Sequence, residues 1–187
     1  MEFLTELWLP ALVSAVFVFV VSSVVHMVLP LHKSDHKQLP GEETVLGTML
    51  EQKVTPGSYM FPYASSMEEF TSQEMIDRLN RGPVGFMTVY ENGPMKMGRQ
   101  LGQWFAFSFV VGLVTAYVAS FSIEGDPGFL HVFRVTGTIG FIAYAFGVVP
   151  DSIWKGQSWS TTMKFVFDGL LYGLATGAAF GWLWPGA

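Results

Sequence analysis

The sequence predicts an all-α membrane protein, a bundle of four transmembrane helices with a small α+β cytoplasmic lobe in the loop between helices 1 and 2. Half of the 187 residues are hydrophobic and only 13% are charged, about half the share of charged residues in a soluble domain. Four apolar stretches are also long enough to cross the hydrocarbon core, which takes about 20 residues. Together these observations favour lipid as the solvent of most of the chain.

The predicted spans cover residues 8–29, 104–121, 129–149 and 165–184. The first, second and fourth lack the polar face of a helix at the surface of a soluble protein, which argues against four buried helices of a soluble domain. All six tryptophans fall at or just beyond a predicted span end, as indole rings do in the headgroup region. They are Trp8, Trp104, Trp154, Trp159, Trp182 and Trp184.

The basic residues predict the orientation of the spans. Nine of the ten Lys and Arg residues lie in the loop after the first span or in the loop after the third, and only Arg134 lies on the other side. Because cytoplasmic loops are enriched in Lys and Arg, we expect both loops in the cytoplasm and both termini outside. The resulting domains are transmembrane helix 1 (1–31), the lobe (32–102) and transmembrane helices 2–4 (103–187). The start of the chain lacks basic residues, so no cleaved signal peptide is expected.

The loop over residues 32–102 has the patterns of a folded lobe. Residues 42–53 predict a short helix with apolar residues on one side. Ser66 and Glu69 fit a capping box, which predicts a second helix that ends near Asn80, with Gly82 as its stop. Residues 84–90 and 58–61 predict two partner strands. A lobe of this size is marginally stable alone.

Seven methionines accompany these elements. Thioether side chains suit a copper site, but they also fill irregular gaps in a core. Their irregular spacing over several elements favours packing. They are Met49, Met60, Met67, Met75, Met87, Met95 and Met97.

Ionisable residues inside a span are costly and suggest function. His26 lies near the cytoplasmic end of the first span, and Asp168 lies at a similar depth in the fourth. They can meet if these spans are neighbours, with Asp151 on the same side and Tyr172 one turn from Asp168. One hypothesis is a proton-linked or ligand site at the inner leaflet, since His titrates near neutral pH. The other is a hydrogen-bonded pair that fixes helix packing.

Arg134 lies near the opposite face, so it cannot pair with Asp168. Glu6, Glu124, Asp126 or a lipid phosphate are its expected partners. A long basic side chain can also extend to the interface without any specific partner.

Two histidines raise a metal site as an alternative interpretation. His32 and His36 are spaced four apart and would share one face if the segment were helical, a spacing that suits a metal ion. The segment also fits a solvated interfacial stretch. His26 and His131 lie at opposite faces of the membrane and cannot ligate one haem. We therefore predict no cofactor.

A regular stripe of small residues marks the fourth span. Glycines that repeat every four residues let two helix backbones approach closely. The contact can lie within the chain, which we favour, or between subunits. The stripe consists of Gly169, Gly173, Gly177 and Gly181.

Several segments resemble a group of bacterial hypothetical membrane proteins, and the resemblance covers nearly the whole chain. It implies a bacterial inner-membrane location, but no activity and no catalytic residues, because none are assigned to the group. The segments are His26–Pro30 (HMVLP), Gly93–Gly98 (GPMKMG), Asp151–Trp154 (DSIW), Phe167–Gly173 (FDGLLYG) and Phe180–Pro185 (FGWLWP).

No familiar catalytic or phosphate-binding motif is present, so a non-catalytic role is favoured over an enzyme. The net charge of −5 argues against nucleic acid as a partner, and the lack of cysteine excludes disulfides and thiolate sites. The leading hypothesis is an accessory or assembly subunit that acts through helix–helix association with other membrane subunits or with itself. The alternatives are a small oligomeric transporter or channel with a His/Asp site, and a metal- or redox-handling membrane protein.

Overall fold

The computed structural model describes residues 3–185, most of which are helical. Its α-helices are α1 (Phe3–Glu6), α2 (Trp8–Ser23), α3 (Glu42–Glu51), α4 (Met67–Phe70), α5 (Gln73–Arg81), α6 (Met97–Ser122), α7 (Phe129–Ala145), α8 (Val149–Trp154) and α9 (Trp159–Leu183). A π-helical turn covers Val24–Val28, and 3-10 turns cover Pro30–His32 and Phe146–Val148. The strands are β1 (Gly57–Phe61) and β2 (Gly85–Val89).

Four helical stretches are long and apolar enough to cross a membrane: Trp8–Val28, Met97–Ser122, Phe129–Trp154 and Trp159–Leu183. By length and composition the chain is a multi-pass membrane protein, as predicted. The second and fourth of these helices begin seven and six residues earlier than the predicted spans. Hydropathy marks where a helix becomes apolar, whereas the helix itself extends through polar residues that precede that point.

The chain divides into two compact units. One comprises residues 3–35, 96–153 and 157–185 and contains most of the long helices. The other comprises residues 36–95 and 154–156.

Within the helical unit, α9 packs against α7 and α2, and α2 also packs against α6. Small residues bring α2 and α6 together: a Cβ added to Gly112 would lie 2.7 Å from the carbonyl oxygen of Ala11. A cluster of buried side chains joins all four helices at the end where the chain enters α2. Its members are Leu7, Ala11, Ala116, Ala119, Ile123, Val132 and Phe180.

The glycine stripe of α9 lies against α7. A Cβ on Gly173 would be 2.8 Å from the carbonyl oxygen of Gly137, and one on Gly169 would be 2.7 Å from the Cβ of Ala145. Gly177 and Gly181 meet Phe133 and Phe129 in the same way. The stripe therefore has its close neighbours within this chain.

In the second unit, β1 and β2 form an antiparallel pair in which Gly57 faces Val89 and Phe61 faces Gly85. The predicted strands are confirmed. The predicted helix from Ser66 to about Asn80 is wrong as a single element, because α4 and α5 are separate helices.

Two N-caps account for the division. Ser66 Oγ accepts from the N–H of Glu69, and Ser72 Oγ accepts from the N–H of Met75, so a new helix begins at each serine. The capping box is also incomplete, since the Glu69 carboxylate accepts from the backbone N–H and hydroxyl of Ser65 instead of Ser66. Those two bonds hold the pKa of Glu69 below its ordinary value.

Candidate functional site

A chain reversal after the first span begins the site. Pro30 cannot continue a helix, and the residue before a proline is pushed towards extended backbone. Leu29 accordingly has φ −82° and ψ 142°. The chain then turns through the 3-10 segment Pro30–His32. The turn brings His32 back beside the end of the first span.

The last turn of the first span is π-helical, over Val24–Val28. Such turns are rare and often occur at functional sites. This one carries His26, whose ring stacks on that of His32 with centroids 4.4 Å apart and planes 26° apart. The two imidazoles therefore lie face to face, although six positions separate them in the sequence.

Helix α9 supplies the third group. Asp168 is 1% exposed, and its Oδ2 lies 2.9 Å from His32 Nε2 and 3.4 Å from His26 Nε2. Phe165, one turn earlier on α9, packs on the His32 ring at a centroid distance of 5.0 Å. The result is a three-residue cluster of His26, His32 and Asp168, here called the His–His–Asp cluster.

A second carboxylate orients His32 from its other side. Asp35 Oδ2 lies 2.5 Å from His32 Nδ1, and Asp35 Oδ1 lies 2.6 Å from Lys164 Nζ. Lys164 Nζ also donates to Ser34 Oγ at 2.8 Å. Burial disfavours the charged form of Asp35, but the hydrogen bonds from Lys164 and His32 outweigh it, so the pKa of this carboxyl lies below its ordinary value.

These contacts decide how many N–H donors the His32 ring needs. Both of its ring nitrogens face carboxylate oxygens, which only accept hydrogen bonds when ionised. With both carboxylates charged, His32 satisfies them only as an imidazolium with two N–H donors. A metal ion at Nε2 would take the place of one of these protons, while the Asp35 bond at Nδ1 would remain.

The His–His–Asp cluster fits a metal ion. One ligand atom from each residue lies within 4.8 Å of the others. Around a tetrahedral ion with bonds of about 2.1 Å, ligand atoms are about 3.4 Å apart. The two distances to Asp168, 2.9 and 3.4 Å, are close to that spacing. Asp35 completes the carboxylate–histidine arrangement that usually fixes a metal-bound imidazole.

Three buried polar atoms of the helical unit have no hydrogen-bond partner among residues 3–185: Asp168 Oδ1, Tyr172 OH and Ser108 Oγ. Buried groups of this kind are usually paired with protein, ordered water or an ion. Asp168 thus has one carboxylate oxygen in the His–His–Asp cluster and a second oxygen still free to accept or to coordinate.

Trp104 of α6 contacts residues of the other spans near these atoms. Trp104 Nε1 donates to Ser22 Oγ at 2.9 Å. The Trp104 ring contacts Tyr172 and Tyr144 at centroid distances of 5.8 and 6.1 Å. Trp104, at the start of the predicted second span, therefore forms contacts within the bundle.

The sequence-predicted residues divide into two groups. His26 and Asp168 lie together, and Tyr172 is buried one turn beyond Asp168 on α9. Asp151 lies in the first turn of α8 and is not a member of the cluster.

The helical segment on which a His32–His36 metal pair depends is not formed. Residues 33–36 are not helical, so the two side chains do not share a helix face, and His36 is exposed. His32 instead joins residues far away in the sequence.

The sequence reasoning missed Asp35 and Lys164 as supporting residues, and the contact of His32 with Asp168. One signal was present, since Lys164 and Asp168 are four apart on one helix and so share a face. The other half of the arrangement depends on the reversal at Pro30, whose direction has no local signature.

Comparison with protein-family models, with curated proteins and with solved structures finds no match for this chain.

Proposed function

We propose that this chain is a metal-handling membrane protein whose His26, His32 and Asp168 bind one divalent first-row transition-metal ion. The observation that carries the proposal is the convergence of three ligand atoms within 4.8 Å, with Asp35 on the far nitrogen of His32. A hydrogen-bonded helix contact needs one His–Asp pair, whereas this cluster brings a second imidazole to the same carboxylate oxygen.

The ligand atoms limit which metal ions suit the site. Two imidazole nitrogens and a carboxylate oxygen suit Zn²⁺, Fe²⁺, Mn²⁺ or Co²⁺, whereas Cu(I) prefers sulfur. Ca²⁺ and Mg²⁺ prefer oxygen ligands alone. A His₂–carboxylate set is also one that leaves coordination positions open for water or substrate.

The access side follows from exposure. The His26 side chain is 39% exposed, whereas those of His32 and Asp168 are 14% and 2% exposed. An ion can reach the open positions beside His26 without unfolding of the bundle. Such a site suits an ion that exchanges or that activates a bound water, because structural zinc sites are closed by four protein ligands.

The proposal includes a location, a bacterial inner membrane with both termini outside. The Lys and Arg distribution supports this orientation, and the resemblance to bacterial membrane proteins supports the compartment. The His–His–Asp cluster would then lie at the cytoplasmic end of the bundle.

The accessory-subunit and transporter hypotheses remain predictions. Glycine-rich helices were one reason for the first, but the close neighbours of the α9 stripe lie on α7 of the same chain, so the stripe gives no evidence of another subunit. For the second, His26 and Asp168 would bind the transported ion, and the metal site proposed here would be its loading site.

The test is metal binding by the purified full-length protein in detergent. After chelation and dialysis, Zn²⁺ is titrated by calorimetry, and Co²⁺ is titrated by visible absorption, which reports its coordination geometry. We expect one ion per chain, and a loss of high-affinity binding in His32→Ala and in Asp168→Asn.

Two matched variants serve as controls. His36→Ala removes an exposed histidine near in sequence, and Asp151→Asn removes an aspartate near a span end, both outside the cluster. Both should bind like the wild type, with folding checked by thermal unfolding. If the wild-type protein binds no more tightly than folded His32→Ala, the proposed function is wrong.

A further inference from the structure

Arg134 is a cation within a span that has no partner among the residues that the structure describes. It lies in the second turn of α7, is exposed, and forms no hydrogen bond or ion pair with any residue in 3–185. Charged residues in membrane spans are usually paired or face the bundle interior. The expected partners Glu6, Glu124 and Asp126 form no hydrogen bond or ion pair with it. Within the described part of the chain, residues 3–185, no side chain supplies its counter-charge.

A groove lies beside Arg134 on the outer surface of the bundle. It has a volume of about 200 Å³ and runs between α7 and α9. Phe133, Phe141, Leu170 and Leu174 supply apolar walls, and Gly137 and Gly173 lie where the two helices touch. None of the lining residues is acidic.

The groove exists because of the glycine stripe. Where two helices touch through glycines, no side chain fills the surface over the contact. Larger side chains on either side of that space form the walls of the groove. Leu170 and Leu174 are 43% and 45% exposed, so this space opens outward. On a membrane-spanning bundle that direction faces lipid tails.

We propose that this groove is a binding site for one anionic phospholipid, with its phosphate on Arg134 and part of an acyl chain between α7 and α9. The charge selects an anionic headgroup, because a guanidinium forms bidentate hydrogen bonds with phosphate. The apolar walls suit a hydrocarbon chain but not a soluble anion. Arg134 is about 7–8 Å along α7 from Phe129 at 1.5 Å per residue, a depth from which its long side chain extends to the headgroups.

This site is separate from the His–His–Asp cluster. Phe129 of α7 meets Gly181 of α9, whereas Ala145 meets Gly169, the neighbour of Asp168. Arg134 and Ala145 are eleven residues apart on one helix, about 16 Å along its axis. The lipid site can therefore be present or absent independently of metal binding.

Native mass spectrometry of the full-length protein in mild detergent tests the proposal. The protein is equilibrated with equal amounts of phosphatidylglycerol and phosphatidylcholine that carry identical acyl chains. We expect the first bound lipid to be phosphatidylglycerol about five times as often as phosphatidylcholine, the preference that one basic residue confers. Arg134→Gln should remove the preference, and Arg134→Lys should retain most of it.

Two further variants distinguish the contribution of the groove from that of the Arg134 charge. Leu174→Trp fills the groove and should reduce retention of both lipids while Arg134 is intact. Arg99→Gln removes an exposed arginine in the first turn of α6 and should behave as wild type. Thermal unfolding without added lipid identifies any variant that is misfolded.

Three results would overturn the proposal. Wild-type protein could retain both lipids equally, folded Arg134→Gln could keep the preference, or Arg99→Gln could lose it. Oleate is a further probe: displacement of phosphatidylglycerol by an equal concentration of oleate would assign the site to a single-chain carboxylate instead of a phospholipid.

Discussion

His32 Nε2 lies 2.9 Å from Asp168 Oδ2, although 136 positions separate the two residues in sequence. The contact joins the turn after the first span to the first half of the fourth. It places His32, which follows the first span, in the same cluster as His26, which lies within that span.

The role of Asp35 gives the first prediction. Asp35→Asn removes the negative charge beside His32 Nδ1 without removing a metal ligand, so Zn²⁺ affinity should fall about 10- to 100-fold. Calorimetric titration measures the change. Ser34→Ala is the control, since Ser34 contacts Lys164 but not His32, and it should bind like the wild type. Unchanged affinity in Asp35→Asn would exclude Asp35 as the orienting group.

The contact between α7 and α9 gives the second prediction. Gly173→Ala places a Cβ 2.8 Å from the Gly137 carbonyl oxygen and the Phe141 nitrogen, so the helices must separate. We expect a loss of about 1–3 kcal/mol in the free energy of unfolding. Gly102→Ala, where an added Cβ meets nothing within 4 Å, should not lower stability and should raise it by up to about 1 kcal/mol, because alanine favours the helix. Thermal unfolding in detergent compares the two, and equal effects would contradict the close contact.

The hydrogen bond from Trp104 to Ser22 gives the third prediction. It joins α6 to α2 at 2.9 Å. A double-mutant cycle of Trp104→Phe and Ser22→Ala should yield a coupling of about 0.6 kcal/mol, with about 1.7 kcal/mol as the upper value known for membrane helices. Trp154→Phe, at a tryptophan that is 78% exposed, replaces Trp104→Phe in the control cycle. Additive effects for Trp104 and Ser22 would show that the bond contributes nothing.

The orientation of the spans gives the fourth prediction. The chain has no cysteine, so each introduced cysteine is the only thiol. In spheroplasts, a membrane-impermeant maleimide should label Asp126→Cys directly but Glu51→Cys only after permeabilisation, because we expect the lobe in the cytoplasm. Cysteine-free wild-type protein gives the background. The reverse pattern of labelling would invert the proposed topology.

The elements of the lobe illustrate how far local patterns extend. Alternating residues and a turn signal predicted the strand over residues 84–90, with residues 58–61 as its partner, and the structure pairs the two from Gly57 with Val89 to Phe61 with Gly85. The same reasoning joined α4 and α5 into one helix. Ser72 is as good an N-cap as Ser66, and a helical pattern on both sides of it concealed the break.

By itself, the sequence determined the class of this protein, its four apolar helices, its two strands and a close helix contact along α9. These properties depend on composition and on short-range periodicity, which do not require knowledge of the neighbours. Only the tertiary structure decided which surfaces meet: the α9 glycines against α7, Trp104 against Ser22, and His32 with Asp168 instead of His36. The physical reason is that a reversal such as the one at Pro30 directs side chains by three-dimensional packing, and residues so far apart leave no shared pattern along the chain.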